Sequence, residues 1–504
     1  MKKISRAFGI IITVVSIMAI TAVASMALSS NDYEYLVTSE DAKTAEITRY
    51  TGTATTITIP AEINGYIVTS LGTTDVSATF SSVVTNINMP NTVVSINAYA
   101  FKNCTTITNI SIPNSVTVIG KEAFYGCDSL SDIEMPESVT KIGDKAFNGC
   151  IALTTLTIPQ NIAKLDNYIF KDCTGLTDVT INAQSGGIGS FQGCTSLVNV
   201  TFNNIVRIEN ETFKGCTGLQ TIDIPESVTT IGQEAFNNCT SLANITMGNA
   251  LESIGYQAFS NTAWYNAQPD GQAVLSNWLV SYKGDMPANT EVFIGYPIKG
   301  IADKAFANCY GMTKVEIRPG NTIIIGAGSF LNCTGITKVN MHVGVTSIGK
   351  SAFAGCSGIT SVIITKKVEY IGDDAFLNCP NLSKVDVSYS VVNIGEHAFG
   401  FLYDGEEYSK VSGLVIKGYD NSSTKNYAMY YDFAFGEIIP HALGDVNGDG
   451  LIDVIDYQRI DDVLSGCEIT DLAEFDAADV DKDGVIDVLD AFKMNGYISG
   501  YGTL

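Results

Sequence analysis

The middle of the chain alternates apolar and polar positions with a long-range period. A Phe followed three residues later by Cys recurs at Phe101, Phe124, Phe147, Phe170, Phe191, Phe213, Phe236, Phe259, Phe306, Phe330, Phe353, Phe376 and Phe399 (Cys is replaced by Thr262 after Phe259, and is absent after Phe399). Most steps are 23 residues, and the step from Phe259 to Phe306 is 47, two periods. Within one unit, Leu130, Ile133 and Met135 form an L-x-x-I-x-I pattern, the spacing of a short strand with alternate side chains turned inward. Pro136 ends that strand because it has no N–H for a ladder. Val139 and Ile142 start the next inward set, Gly143 permits a corner, and Ala146-Phe147 with Cys150 predicts one short helical turn. A unit this small cannot bury a core alone, but stacked units can. The expected architecture is a parallel solenoid of ~23-residue β-rich coils, each with one short helical turn.

The same patterning predicts where the array, residues 81–412, ends. Residues 28–80 alternate as in Thr56-Ile57-Thr58-Ile59 and predict a β-rich N-terminal cap; residues 413–440 read as a strand and a helix that close the last coil. Residues 260–300 hold both tryptophans, Trp264 and Trp278, and read as an insertion: Trp278–Tyr282 and Glu291–Ile294 look like the strands of a hairpin. Trp264 and Tyr265 are either an aromatic platform for sugar or the local core of that excursion. The outward positions of the main strands are short and polar, as at Asn109/Ser111 and Thr155/Thr157, and become Lys314/Glu316, Lys338/Asn340, Ser361/Ile363 and Lys384/Asp386 after the insertion. They form either a face for a protein or glycan ligand or a solvated sheet surface.

These segments, written SVTxIGxxAFxxC, resemble the BspA-type (treponemal) leucine-rich repeat family over about residues 80–400. The resemblance implies a leucine-rich-repeat solenoid in a secreted or surface protein, often an adhesive one, without settling a ligand. Eleven cysteines, Cys104 through Cys379, hold one position per coil. Secretion would allow disulfides, but a small buried side chain at a repeated structural position predicts free thiols. No His stands at zinc-ligand spacing from them.

Two acidic stretches carry different chemistry. Asp445, Asn447, Asp449, Asp453 and Asp456 stand at positions 1, 3, 5, 9 and 12 of a twelve-residue loop with Gly450 at position 6. Asp479, Asp481, Asp483, Asp487 and Asp490 repeat this with Gly484, 34 residues later. Alternate oxygen ligands in a tight loop suit Ca²⁺, and Leu451 and Val485 at position 7 would add backbone carbonyls. Two Ca²⁺ are expected. A helical stretch follows each loop and none precedes the first, so the module reads as two EF-hand-like loop–helix halves.

The pattern resembles a type I dockerin over about residues 442–500, within an all-α module at 441–504. That resemblance implies docking onto a cohesin domain of a cellulosome scaffold. The family's contact positions are 10 and 11 of each loop, here Val454/Ile455 and Val488/Leu489, unless these pack inside the helices. Further along, where many dockerins are basic, this chain has Asp461/Asp462 and Asn495/Gly496, which points to a divergent cohesin.

Charge and composition narrow the classes. The net charge of −24 argues against nucleic acid, because phosphate binding needs basic surface. Residues 442–504 hold 15 acids against Arg459, Lys482 and Lys493, so half of that charge lies in the proposed calcium module. At the N-terminus, Lys2, Lys3 and Arg6 precede an apolar run from Phe8 to Ile20 and small residues at Ala22 and Ala24. This predicts a secretory signal peptide over residues 1–27, with an uncleaved anchor as the alternative, and no membrane span in the mature chain. No G-x-S-x-G or zinc motif is present, and His342, His397 and His441 stand apart; no catalytic residue is assigned. The expected function is a secreted, non-catalytic, scaffold-docked binding subunit in polysaccharide degradation or adhesion. The alternatives are an enzyme or protease regulator using residues 260–300, and a free surface adhesin.

Overall fold

The computed structural model describes residues 28–72, 79–80, 83–318, 322–341, 344–465, 472–482 and 486–504. Residues 1–27, over which a signal peptide is expected, lie outside the described residues, as do His342 and Cys467. The array is a β-solenoid built from two ribbons of short parallel strands. The main ribbon includes Asn109–Ser111, Asp132–Glu134, Thr155–Ile158, Asp178–Ile181 and Asn199–Phe202, and the second includes Ser95–Ile96, Val118–Ile119 and Lys141–Ile142. Register puts like over like: Ile110 lies opposite Ile133, and Val179 opposite Val200.

Behind the ribbons runs a column of phenylalanines. From Phe80 to Phe259 neighbouring rings sit 4.7–5.5 Å apart and near parallel, and Phe306 to Phe399 repeat the arrangement. Phe101 begins a turn closed by an i→i+3 bond, in which Cys104 N–H donates to Phe101 O at 3.0 Å, and Phe124 and Phe147 do the same. The residue two after Phe is left-handed, φ 59° at Asn103, 75° at Gly149 and 59° at Asp172. That explains why this slot is Asn, Gly or Asp in every unit from Phe101 to Phe376. Gly143 serves a different need: a Cβ there would stand 2.5 Å from Lys121 N of the preceding coil.

The eleven repeat cysteines are free thiols, ten of them buried. Their position is specified by a coil-to-coil bond: the Cys127, Cys150 and Cys173 thiols donate to the Phe101, Phe124 and Phe147 carbonyls at 3.1–3.2 Å. Burial pushes the Cys104 and Cys173 thiols up to about 12, far from the thiolate range that redox chemistry needs.

Residues 260–300 differ from the predicted hairpin. The antiparallel pair is Gly271–Leu275 with Trp278–Lys283, whereas Thr290–Ile294 pairs in parallel with Met312–Ile317 as an ordinary main-ribbon strand. Trp278–Lys283 itself pairs in parallel with Gly300–Ile301. Tyr282 N–H donates to Ala305 O at 2.7 Å, as Phe236 N–H does to Ala258 O and Phe306 N–H to Ser329 O in neighbouring coils, and its ring lies 6.0 Å from Phe306. Tyr282 therefore fills the missing Phe slot, 23 residues after Phe259 and 24 before Phe306. The segment is a retained coil with one added strand and a short helix, α1 (Ala263–Ala267). Trp264 packs edge-on to Phe259 at 6.3 Å, and Trp278 is buried. These are roles in the local core.

The caps hand over to the same stack. Thr44–Tyr50 pairs antiparallel with Tyr33–Ser39 and parallel with Tyr66–Leu71, and Tyr50 stacks on Phe80. At the other end Val415–Gly418 and Ala434–Glu437 extend the main ribbon around α2 (Ser423–Tyr430). The α2 ring of Tyr427 stands edge-on to Phe399, and its hydroxyl both donates to Phe399 O and accepts from Phe399 N–H, each at 3.0 Å. The remaining helices, α3 (Val454–Leu464), α4 (Leu472–Ala478) and α5 (Val488–Ile498), form the C-terminal module. Among the described residues no helix is long and apolar enough to cross a membrane.

Candidate functional site

The two acidic loops end alike, each in the same kind of helix cap. Asp453 caps α3 and Asp487 caps α5, each in a reciprocal capping box with Asp456 or Asp490. Asp456 is buried and accepts from Asn447 N–H at 3.1 Å and Asp453 N–H at 2.9 Å; Asp490, also buried, accepts from Asp481 N–H at 3.1 Å and Asp487 N–H at 2.8 Å. Each position-12 carboxylate is thereby pinned across its loop. Gly450, at φ 87°, makes the sharp turn, and its N–H donates to Asp445 Oδ2 at 3.0 Å. Asn447 and Asp449 turn their side chains inward onto Asp449 N–H and Leu451 N–H, at 2.8 and 2.9 Å.

This donor set suits a hard cation. Asp445 Oδ1 is buried with no hydrogen-bond donor of its own. In the second loop, ligand oxygens of Asp479, Asp481 and Asp490 lie within 4.8 Å of one another. Buried carboxylates that close together need a counter-charge. Asp483 and Val485 lie outside the described residues.

Burial first, then the charges of Asp481 and Asp479, push the Asp490 carboxyl up to about 6, against the two N–H donors that favour its anion. In the metal-free protein the folded state then keeps a proton that the unfolded chain releases, so its stability falls as pH rises from the ordinary 3.8 to about 6. Calcium needs the anion and competes with that proton. Calorimetric calcium titrations near pH 7.5 and pH 5 should show the second loop weakening about tenfold per unit below pH 6. Equal affinities at both would defeat this assignment.

The positions 10 and 11 residues open α3 and α5. Val454, Ile455, Val488 and Leu489 are 54–69% exposed, so they do not pack inside the helices. Phe492, one turn after Val488 and 77% exposed, widens that apolar surface; its i+4 spacing was the available signal. Asp461 and Asp462 lie in the second half of α3, where Gln458 donates to Asp462 at 3.0 Å. Within α5, Met494 enters the core while Phe492 stays exposed. The loop–helix reading also omitted α4, which leads directly into Asp479 and makes the second half helix–loop–helix. The Arg459 guanidinium of α3 pairs with Glu474 of α4.

A family model described as BspA type leucine rich repeat region matches in six copies, over residues 77–190, 183–268 and 288–403. The chain belongs to the BspA-type leucine-rich repeat family. Its C-terminal module is a type I dockerin domain, matched over residues 443–499, and such domains bind calcium. Among solved structures, a leucine-rich repeat protein from Bacteroides ovatus is 26% identical, with 82% of this chain and 100% of its own covered and a TM-score of 0.41. A leucine rich cell surface protein from Faecalibacterium prausnitzii is 28% identical, with coverage of 80% and 97% and a TM-score of 0.35. The T. pallidum leucine rich repeat protein is 23% identical, with coverage of 46% and 85% and a TM-score of 0.29. No curated protein matches.

Proposed function

We propose that this BspA-type protein is a secreted, non-catalytic binding subunit, docked through its dockerin and two Ca²⁺ onto a cohesin domain of a cellulosome scaffold. The repeat array presents a protein- or glycan-binding face in polysaccharide degradation or adhesion. The observation that carries the docking reading is the pair of matched apolar doublets, Val454/Ile455 and Val488/Leu489, exposed beside the two acidic loops. Large apolar side chains exposed at equivalent places on two halves of one small module favour a desolvated partner surface. Asp461 and Asp462 beside the first doublet favour a cohesin with a cationic rim.

A cohesin array tests the reading. Replacing all four apolar residues by Asp should weaken binding by at least about 100-fold, because buried unpaired charges then face the partner. Changing one doublet alone should cost far less, since the other half remains. Undiminished binding by the fourfold variant, with helix content retained, would remove these residues from the interface.

A further inference from the structure

The outward stripe of the main ribbon changes character near its C-terminal end. Upstream, Asn109, Asp132 and Thr155 are polar and exposed. Two coils from the end the outward positions become Ile363 and Asp386, and Asp386 is fully buried. A buried carboxylate on the outer face of a sheet means that something covers it.

The cover is α4 of the dockerin. Leu472 and Ala473 of α4, with Ile438, form an apolar cluster against Ile363 and Tyr419. Asp386 accepts from Leu472 N–H at 3.3 Å and lies 3.2 Å from Lys384 Nζ. On the next turn of α4, Asp476 accepts from the Tyr419 hydroxyl at 3.2 Å and pairs with Lys366 at 3.1 Å. Lys366 also comes within 3.7 Å of Asp479, the first residue of the second calcium loop. The seam thus combines an apolar contact, a buried hydrogen bond and an ion pair, all supplied by residues that a free array would have no reason to place there. The apolar doublets of α3 and α5 remain exposed with the seam formed.

We propose that the last coils of the array are a built seat for the chain's own dockerin, which α4 holds in one orientation. The seat occupies the Ile363 and Asp386 coils, so the part of the stripe open to a ligand ends upstream of them. This proposal stands apart from the cohesin reading, because it concerns only contacts within the chain.

Small-angle scattering of the full chain in calcium tests it. The wild type should fit a single placement of the module. A variant carrying Ile363→Asp and Lys366→Glu should show a larger radius of gyration and a longer pair-distance tail. Lys366→Glu alone should loosen the module, and adding Asp476→Lys should restore the wild-type profile. In an Ile363→Asp single variant, which keeps the lysine, Lys366 amine labelling, read by mass spectrometry, should rise several-fold over the wild type. Unchanged circular dichroism and calcium stoichiometry identify variants that keep both modules folded. A wild-type profile that already needs many placements, or a release variant indistinguishable from wild type, overturns the proposal.

Discussion

Replacing Phe147 by alanine is expected to lower the stability of the array by about 3–5 kcal/mol, the cost of deleting a fully buried aromatic ring. The ring lies between Phe124, at 4.9 Å, and Phe170, at 5.3 Å, and is fully buried. Its backbone is equally committed: Phe147 N–H donates to Ile169 O at 2.9 Å, and Phe147 O accepts the Cys173 thiol at 3.2 Å. In a solenoid each coil touches only its neighbours, so stability is close to a sum of intrinsic and interface terms. A hole at Phe147 weakens two interfaces at once and leaves no distant contact to compensate. An outward change such as Thr155→Ala should stay within about 0.5 kcal/mol. Urea denaturation followed by circular dichroism makes the comparison. A Phe147→Ala variant as stable as Thr155→Ala would show that the ring column is not the spine of the array.

The column was legible because one side chain type recurs at one slot, so a single period reveals it. Its departures were not. Tyr282 escaped a search for Phe followed by Cys, although its spacing to both neighbours is regular, and the step of 47 then looked like an insertion. Phe80 escaped because it lacks both marks of the unit, with Thr79 in place of the usual preceding Ala and Val83 in place of the Cys. The calcium loops were legible for a different reason: their ligands lie within twelve consecutive residues, so the ligand geometry is already present in the spacing. The dockerin seat could not be found that way. Ile363 and Leu472 meet only after the C-terminal cap has turned the chain, and no local period records such a contact. Helix α4 hid as well, because it is buried on two sides. Leu472 and Ala473 meet the array while Ala478 joins the dockerin core, so it lacks the single apolar stripe that marks a surface helix.

That dockerin core leads to the second large effect. With calcium removed, the dockerin is expected to lose helix while the array stays folded. The module's own core is small, with Val446, Ile460, Ala478, Val480, Ala491 and Met494 buried and only a few partly buried neighbours. A domain of this size rarely closes its stability balance by apolar burial alone. It must also hold the buried carboxylates Asp445, Asp456, Asp479 and Asp490 close together, which is unfavourable without a cation. Calcium at about 1,000 times its dissociation constant would contribute about 4 kcal/mol per site, enough to decide whether so small a core folds. The array's spine is apolar, so its stability does not rest on holding carboxylates together. Chelator added to the full chain should therefore remove the helical signal of α3 and α5 in circular dichroism, leave the β signal and the array's melting transition in place, and be reversed by fresh calcium. Asp445→Ala combined with Asp479→Ala should reproduce the loss in the presence of calcium. Helix content unchanged by chelator would mean that packing, rather than ligation, holds the module together.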